Sequence, residues 1–399
     1  MSEAVLDNPT SFDRPRQMCG REASAVLRLR LTDFRSYGAA RLELEPLPVV
    51  LTGANGAGKT NLLESVSLLV PGRGLRGARL AELARRESGE DASDRAWAVA
   101  ARVATPTGAV DIGTGRDPAA GGSERRAVRV DGTPARGQAA LADYLSAVWL
   151  VPQMDRLFVE GTPGRRRFLD RLVFGFDPAH AGRVAGYENA MRQRARLLRD
   201  GSTDATWLGA LEEAMAARGV AIAAARREMA RRLNAASRDG IGPFPAARVR
   251  SCGTVENWLD EMPALAAEDK LRDALASERG RDAEAGSTGI GPHRSDFEVH
   301  ELARGLPAAQ CSTGEQKALL ISIVLATARL QAQERGAAPL VLLDEVAAHL
   351  DAGRREALFE EICALGAQAW LTGTDRDIFA PLSGRAQFFT VSASRLIPQ

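Results

Sequence analysis

A glycine-rich loop that holds one lysine and one threonine is the strongest chemical signal in this sequence. Its residues are Gly53-Ala54-Asn55-Gly56-Ala57-Gly58-Lys59-Thr60, followed by Asn61. Glycines allow backbone N–H groups to turn inward around phosphate oxygens, and a helix that begins after the loop directs its positive end at the same charge. Lys59 can then reach the outer phosphates, while the Thr60 hydroxyl can hold Mg²⁺. The spacing therefore predicts a nucleotide phosphate site.

Two carboxylates at the end of an apolar segment provide the second part of this chemistry. Asp344 and Glu345 directly follow Leu342-Leu343. Asp344 can hold Mg²⁺ through its water shell, and Glu345 can orient and deprotonate the attacking water. A helix-capping pair after a buried strand is the alternative. Because the phosphate loop is present, we favour the catalytic interpretation.

A third segment, Cys311-Ser312-Thr313-Gly314-Glu315-Gln316-Lys317, has the pattern of a helix start. Ser312 can cap the helix with Glu315 as its partner, and Gly314 exposes a backbone N–H, which makes a second anion site. Its position between the loop and the Asp-Glu pair resembles the signature motif of the ABC ATPases. In that family the signature, here Ser312, Gly314, Glu315 and Gln316, closes on a nucleotide held by a second subunit. The resemblance thus implies a dimer.

These groups need a sheet to bring them together. Alternating residues at 26–31 and 40–45 predict a hairpin, and apolar segments at 147–151, 339–343 and 369–372 predict buried strands. Further strands near residues 96–103, 110–112 and 127–130 predict an antiparallel sheet beside the nucleotide core. Residues from 165 to about 284 have a helical pattern without sustained heptads.

We therefore predict an α/β fold, namely an ABC-type P-loop ATPase head with a mixed sheet and helices. The head is split into residues 25–164 and 287–399 by an inserted helical lobe at 165–286, and there is no long coiled coil. Residues 1–24 are expected to form a flexible extension.

Composition agrees with a soluble protein. The chain has 399 residues, of which 45% are hydrophobic and 26% charged, and no apolar run approaches the roughly 20 residues that span a bilayer. The first residues lack the apolar region of a signal peptide. The four cysteines are far apart in the sequence. These features predict a cytoplasmic protein without a membrane segment.

The net charge of +1 hides an uneven distribution of arginines. They are concentrated at residues 165–167, 192–199 and 226–232. These clusters indicate either a surface for the DNA backbone or ordinary solvated helix faces.

The sequence also resembles the RecF family of bacterial recombination-mediator ATPases, which is related to the SMC proteins. The matching segments, in family order, are Phe34-Arg35-Ser36-Tyr37, Arg165-Arg166-Arg167-Phe168-Leu169-Asp170, Gly291-Pro292-His293-Arg294, and Ser312 to Lys317. This resemblance covers most of the chain.

The resemblance implies roles for further residues. Gln153 lies where ABC enzymes have the Q-loop glutamine that senses Mg²⁺, and Asp351 is similar to the D-loop aspartate that crosses the dimer interface. Arg35 and Ser36 are implied at the nucleotide, although the residues alone leave Arg35 equally suited to solvent. Thr372 is found where many ABC enzymes place a switch histidine. For His293, a locally bonded turn and a functional site both remain open.

The implied activity is slow, DNA-stimulated hydrolysis of ATP with Mg²⁺, which acts as a switch. ATP would join two copies into a homodimer that clamps duplex or gapped DNA, and the family works with RecO and RecR to load RecA. Two alternatives are the ATPase subunit of an ABC transporter and an ATPase fused to a nuclease. The latter is disfavoured because only a short segment follows the Asp-Glu pair.

Overall fold

The computed structural model describes residues 24–86, 95–116, 126–201, 204–238 and 240–399. Within these ranges the chain forms two six-stranded sheets, a two-stranded sheet and helices, which confirms the predicted mixed α/β head. The expected N-terminal extension lies outside the described residues except for Ser24, which is buried.

The sheet that carries the phosphate loop consists of short strands rich in valine and leucine. In spatial order they are β14 (Arg395–Pro398), β13 (Gln387–Ser392), β3 (Val49–Thr52), β12 (Ala369–Gly373), β11 (Leu340–Leu343) and β8 (Ala147–Leu150). All neighbours are parallel except β14 and β13. Because β3, β12 and β11 are parallel and adjacent, the segments that follow them meet at one edge.

The second sheet is antiparallel and shares its buried face with the same core. In spatial order its strands are β2 (Tyr37–Glu43), β1 (Ala25–Phe34), β4 (Trp97–Thr105), β5 (Gly108–Arg116), β6 (Ala127–Val130) and β7 (Thr133–Pro134). Buried and exposed residues alternate along β4, as expected for a sheet with one face in solvent.

The hairpin of β1 and β2 differs from the prediction in its turn. The alternation predicted strands only over residues 26–31 and 40–45, but the strands continue to Phe34 and resume at Tyr37. Phe34 and Tyr37 pair with each other and both are buried, so their burial extends the ladder. The tight connection is possible because Asp33 and Arg35 adopt left-handed backbone angles, with φ of 45° and 54°.

Three α-helices in the described part of the head pack on these sheets and on one another. They are α1 (Lys59–Ser67), α8 (Thr313–Arg335) and α9 (Ala352–Leu365). Helix α1 contacts β12, α8 contacts β8, and α9 packs on α8. The middle of α8 is almost entirely buried, which explains its continuous apolar sequence.

The inserted segment is mainly helical. Its elements are α2 (Thr162–Phe174), α3 (Ala179–Arg199), α4 (Ala205–Ala236), β9 (Ala247–Cys252), α5 (Thr254–Glu261), α6 (Ala264–Ser277) and α7 (Arg279–Ala285). β9 pairs with β10 (Asp296–Glu301), which follows the insertion. Among the described helices none exceeds α4, whose 32 residues span roughly 48 Å, so the described chain has no long coiled coil.

A buried charge network joins the start of this lobe to the segment before β10. The Arg226 guanidinium donates to both carboxylate oxygens of Asp170 at 2.8 Å and to the Pro292 carbonyl at 2.7 Å. His180 is bonded to the same carboxylate at 2.8 Å. Burial acts to raise the pKa of Asp170, but the hydrogen bonds from His180 and Arg226 outweigh it and hold the pKa below its usual value.

Candidate functional site

The phosphate loop leaves β3 and enters α1 in a backbone form that requires glycine. Gly53, Gly56 and Gly58 have φ of 144°, 78° and 113°. A Cβ added at Gly58 would lie 2.8 Å from the Tyr37 hydroxyl oxygen, and one at Gly53 would lie 2.2 Å from the Val391 carbonyl oxygen. These conformations and close approaches explain why the loop has glycine at these positions.

Lys59 is buried and lies across the loop. Its Nζ donates to the carbonyl oxygens of Gly53 at 2.7 Å and Ala54 at 2.9 Å. Loss of solvation lowers the lysine pKa, while the charges of Glu345 and Asp344 act in the opposite direction. The ammonium group is therefore held by the loop carbonyls and attracted by both carboxylates.

Asp344 lies at the centre of the site, directly after β11. Its carboxylate accepts hydrogen bonds from the Thr60 hydroxyl, at 2.9 and 3.0 Å, and from the Thr372 hydroxyl at 2.8 Å. A hydroxyl and a carboxylate are oxygen ligands of the kind that Mg²⁺ prefers, with phosphate and water completing its shell. The residues therefore fit the predicted metal, which Thr60 and Asp344 would hold.

Glu345 has a left-handed backbone, with φ of 55°. Its N–H donates to the Thr372 hydroxyl oxygen at 2.9 Å. Thr372 is 1% exposed, and its hydroxyl contacts both the carboxylate of Asp344 and the backbone N–H of Glu345. Thr372, at the position of the switch histidine, therefore has its described side-chain contacts with Asp344 and Glu345.

The β1–β2 hairpin supports the loop from one side. The Ser36 hydroxyl accepts from the Asn61 amide at 2.9 Å, and the Tyr37 hydroxyl donates to the Gly58 carbonyl at 3.0 Å. Burial raises the pKa of Tyr37, so this hydroxyl stays protonated. Sequence reasoning missed this contact, although Tyr37 belongs to a segment that we had singled out.

The Arg35 side chain is hydrogen-bonded to other protein groups and does not extend freely into solvent. Its guanidinium donates to both carboxylate oxygens of Glu64, at 2.8 and 2.9 Å, and to the Glu82 carbonyl at 2.8 Å. Glu64 is 1% exposed on α1. The apolar neighbours of Glu64 along the chain do not indicate that it has this partner. A role for Arg35 at the nucleotide remains a prediction.

Gln153 lies on the same edge of the sheet as Asp344. It is exposed in a short 3₁₀ helix, Pro152–Arg156, that follows β8, and β8 pairs in register with β11. Asp155 of this 3₁₀ helix forms an ion pair with Lys317 at 3.1 Å. The predicted Q-loop is thereby joined to the predicted signature helix.

The signature segment forms the predicted capping box at the start of α8. Ser312 N–H donates to the Glu315 carboxylate at 2.8 Å, and Glu315 N–H donates to the Ser312 hydroxyl at 3.4 Å. Ser312 and Gly314 are exposed, whereas the buried Gln316 donates to the Cys311 carbonyl at 2.9 Å. Within the described residues, no hydrogen bond or ion pair joins this segment to the phosphate loop.

Asp351 caps α9, where its carboxylate accepts from Arg354 N–H at 2.9 Å. The side chain is exposed. It is therefore available at the surface, as a residue that crosses a dimer interface must be.

Most arginines of the expected DNA clusters are already engaged. Arg165 is paired with Asp296 at 2.7 Å, and Arg194 is 0% exposed between Glu212 and Asp282, at 2.9 and 2.6 Å. The arginine clusters noted in the sequence therefore include structural ion pairs, which neither of our two interpretations anticipated.

His293 has the local role that we had left open. Burial lowers its pKa, so the ring is neutral; the Tyr187 hydroxyl donates to Nδ1 at 2.7 Å and Nε2 donates to the Thr288 carbonyl at 2.9 Å. Gly291 has φ of 137°, and a Cβ there would lie 2.1 Å from the Tyr187 hydroxyl oxygen. Through Tyr187, the segment at residues 291–293 therefore links the helical lobe to β10, the strand that follows it.

A phosphate loop, an Asp-Glu pair and an exposed signature on a mixed sheet define an ABC-type ATPase head. The family described as "RecF/RecN/SMC N terminal domain" matches residues 25–392. The chain is 50% identical to the DNA replication and repair protein RecF of Mesorhizobium japonicum, with 94% of this chain and 97% of the relative covered. The RecF of Brucella suis is also 50% identical, with 93% and 96% covered. This chain belongs to the RecF family.

Solved structures agree with this fold. A structure of the recombination mediator protein RecF with ATPrS has a TM-score of 0.82 at 20% identity, covering 95% of this chain and 99% of that one. A Pyrococcus furiosus Smc head domain has a TM-score of 0.51 at 16% identity, covering 94% and 96%. Within the described residues, no helix is both long and apolar enough to cross a membrane.

Proposed function

We propose that this protein is an ATP-dependent DNA-binding recombination mediator, in which ATP joins two copies into a clamp. The observation that carries this proposal is the division of the site. Lys59, Thr60 and Asp344 converge within one chain, whereas Ser312 and Gly314 are exposed and make no described contact with them. A second copy would supply the missing anion site.

In this mechanism the loop amides and Lys59 hold the phosphates of ATP, and Glu345 accepts a proton from the attacking water. Bound Mg²⁺ would neutralise charge that develops on the phosphates. Thr60 and Asp344 hold their oxygens ready for that ion, with Gln153 at the same edge. Once the γ-phosphate has left as inorganic phosphate, the signature of the partner copy loses the group that it binds, and the dimer loosens.

The DNA surface that we propose is a cleft beyond the end of α1. The cleft has a volume of about 420 Å³, and its described lining includes Arg73, Arg79, Arg126 and Arg136 but no acidic residue. Arg126 is committed to the Thr114 hydroxyl at 2.6 Å and to the Gly72 carbonyl at 2.8 Å. The other three arginines are exposed, as phosphate contacts require.

Binding of a labelled gapped duplex with and without ATP tests this function. We expect tight binding only with ATP, and loss of binding in Lys59→Met, which cannot hold the phosphates. The triple substitution R73Q/R79Q/R136Q should keep ATP-dependent dimerisation but lower DNA affinity. DNA binding that is indifferent to ATP and to Lys59→Met would contradict the proposal.

The solved RecF with ATPrS is a recombination mediator of the RecFOR pathway. We extend the proposal to RecO and RecR as partners and to loading of RecA. The rival transporter subunit is not favoured, because the Mesorhizobium and Brucella relatives are both replication and repair proteins.

A further inference from the structure

The solvent face of the antiparallel sheet carries arginines above a floor of small residues. Strand register aligns Arg41, Arg30, Ala100, Gly113 and Arg129 in one row across β2, β1, β4, β5 and β6. The next row, by the same register, contains only small side chains: Ala39, Thr32, Ala98, Gly115 and Ala127. We call these two rows the sheet face.

The charge on the sheet face is available to a ligand. The side chains of Arg30 and Arg129 are exposed and form no hydrogen bond or ion pair with any residue that the structure describes. Among the described residues, Arg41 is paired only with the exposed Glu43, two residues along the same strand, at 2.6 Å. Exposed pairs of this kind contribute little and exchange readily. Asp111, which borders this face, is already paired with another arginine at 3.4 Å. The first row of the sheet face, which contains Arg41, Arg30 and Arg129, therefore has three positive charges and no acidic residue.

The residue types favour a nucleic acid over a protein partner. Protein interfaces depend on buried aromatic or large aliphatic anchors. The exposed large apolar side chains of the described chain are Val159, Trp207, Leu265, Leu302 and Ile397, and none lies on the sheet face. Single-stranded DNA is also disfavoured, because its binding relies on aromatic side chains for stacking.

The dimensions suit a duplex backbone. Arg30 and Arg129 are three strands apart, which is roughly 14 Å at a spacing near 4.8 Å. Their long side chains can reach phosphates on the two sides of a groove that is roughly 12 Å wide. The hollow between them, about 240 Å³, has the small residues Ala100 and Gly113 in its floor, and its lining also includes Arg28 and Asp111, which are paired with each other.

The sheet face is also physically connected to the ATP site. Arg30 and Arg41 belong to the hairpin in which the Ser36 and Tyr37 side chains contact Asn61 and Gly58. A shift of the phosphate loop would therefore be transmitted to the strands that carry these arginines.

We propose that the sheet face is a second contact surface for the backbone of duplex DNA, separate from the cleft beyond the end of α1. This inference rests on the proposed function, since it presupposes that the protein binds DNA. In this proposal Arg30 and Arg129 contact DNA phosphates, and Ala100 is part of the floor beneath the DNA backbone.

The test measures duplex affinity of the full-length protein with ATP over a series of salt concentrations. For R30Q/R129Q we expect roughly tenfold weaker binding, and a slope of log affinity against log salt smaller in magnitude by about 2 per protomer. The matched control R272Q/R281Q removes the same charge from the helical lobe and should leave both values unchanged.

A second pair of variants leaves every arginine in place. Ala100→Glu puts a carboxylate in the floor and should weaken duplex binding by a similar factor, whereas Ala276→Glu on the exposed side of α6 should not. ATP binding and melting temperature should match the wild type in all four variants.

The outcomes separate the two proposals. A wild type that fails to bind duplex DNA with ATP overturns the proposed function, and this inference falls with it. A wild type that binds, with R30Q/R129Q and Ala100→Glu equal to their controls, overturns the sheet face alone. That result would direct attention to an acidic protein as the occupant.

Discussion

The hydroxyl oxygen of Thr372 lies 2.8 Å from a carboxylate oxygen of Asp344 and 2.9 Å from the backbone nitrogen of Glu345. One buried side chain therefore positions both acidic residues of the site. The Thr372 hydroxyl donates to the Asp344 carboxylate and accepts from Glu345 N–H. The second hydrogen bond holds Glu345 in its left-handed conformation. The threonine at the end of β12 thus joins the carboxylate of Asp344 to the backbone of Glu345.

Thr372→Val should slow hydrolysis while leaving ATP binding nearly intact. The substitution keeps the shape but removes hydrogen bonds to a charged group and to Glu345 N–H, which are worth roughly 1.5–3 kcal/mol for a charged partner. We expect kcat to fall roughly 10- to 100-fold, with less than a threefold change in the Kd for ATP. Steady-state phosphate release and equilibrium binding measure the two quantities.

Thr372→Ser is the matched control, because it keeps the hydroxyl. It should recover most of the lost rate. If Thr372→Ser and Thr372→Val were equally slow, the hydroxyl would not be the reason for the effect.

Gly291→Ala should destabilise the protein. Its φ of 137° disfavours any side chain, and the new Cβ would lie 2.1 Å from the Tyr187 hydroxyl oxygen. We expect a loss of roughly 1–3 kcal/mol from the backbone conformation, with further cost as Tyr187 moves. Gly182→Ala, in the first turn of α3 with no neighbouring side chain within 4 Å of the added Cβ, should instead stabilise by roughly 0.5–1 kcal/mol. Thermal melting of the two variants checks the contrast.

Arg226→Met should cost more than the double substitution D170N/R226M. The single change leaves the buried carboxylate of Asp170 without its bidentate partner, and such changes cost roughly 3–5 kcal/mol. The double substitution removes the charge as well. Urea unfolding of both proteins would contradict this account if the single variant were the more stable.

Acid should weaken the same network. The pKa of Asp170 is lower in the folded protein than in the unfolded chain, where it is about 3.9. Its stabilisation is therefore present above about pH 4 and is lost as the pH falls through the folded-state pKa. Melting temperatures between pH 7 and pH 3 should fall less steeply for Asp170→Asn than for the wild type. Parallel curves would show that Asp170 does not contribute.

Much of the ATP site could be predicted from sequence because its signals are local. The phosphate loop, the capping box at Ser312 and the apolar strand before Asp344 each depend on neighbouring residues. The mixed fold followed from the same short patterns. Alternation in residues 26–31 and 96–103 likewise predicted strands that the structure contains.

Contacts between distant residues could not be predicted in this way. Arg35 with Glu64, Arg226 with Asp170 and Arg194 with Glu212 join different elements, and an arginine in a helix has the same appearance in sequence whether it is paired or free. For that reason the sequence did not distinguish paired arginines from free ones within the three arginine clusters. The sheet face depends on strand register, which a single strand does not reveal.

The mass of Glu345→Gln in solution with ATP and Mg²⁺ tests the central claim most directly. This substitution keeps the side chain's shape but removes the carboxylate that we propose as the base, so ATP should remain bound between two copies. We predict a stable dimer with ATP and a monomer without it, while Lys59→Met stays monomeric in both conditions. A Glu345→Gln protein that binds ATP and remains monomeric would contradict the proposal that ATP joins the two copies.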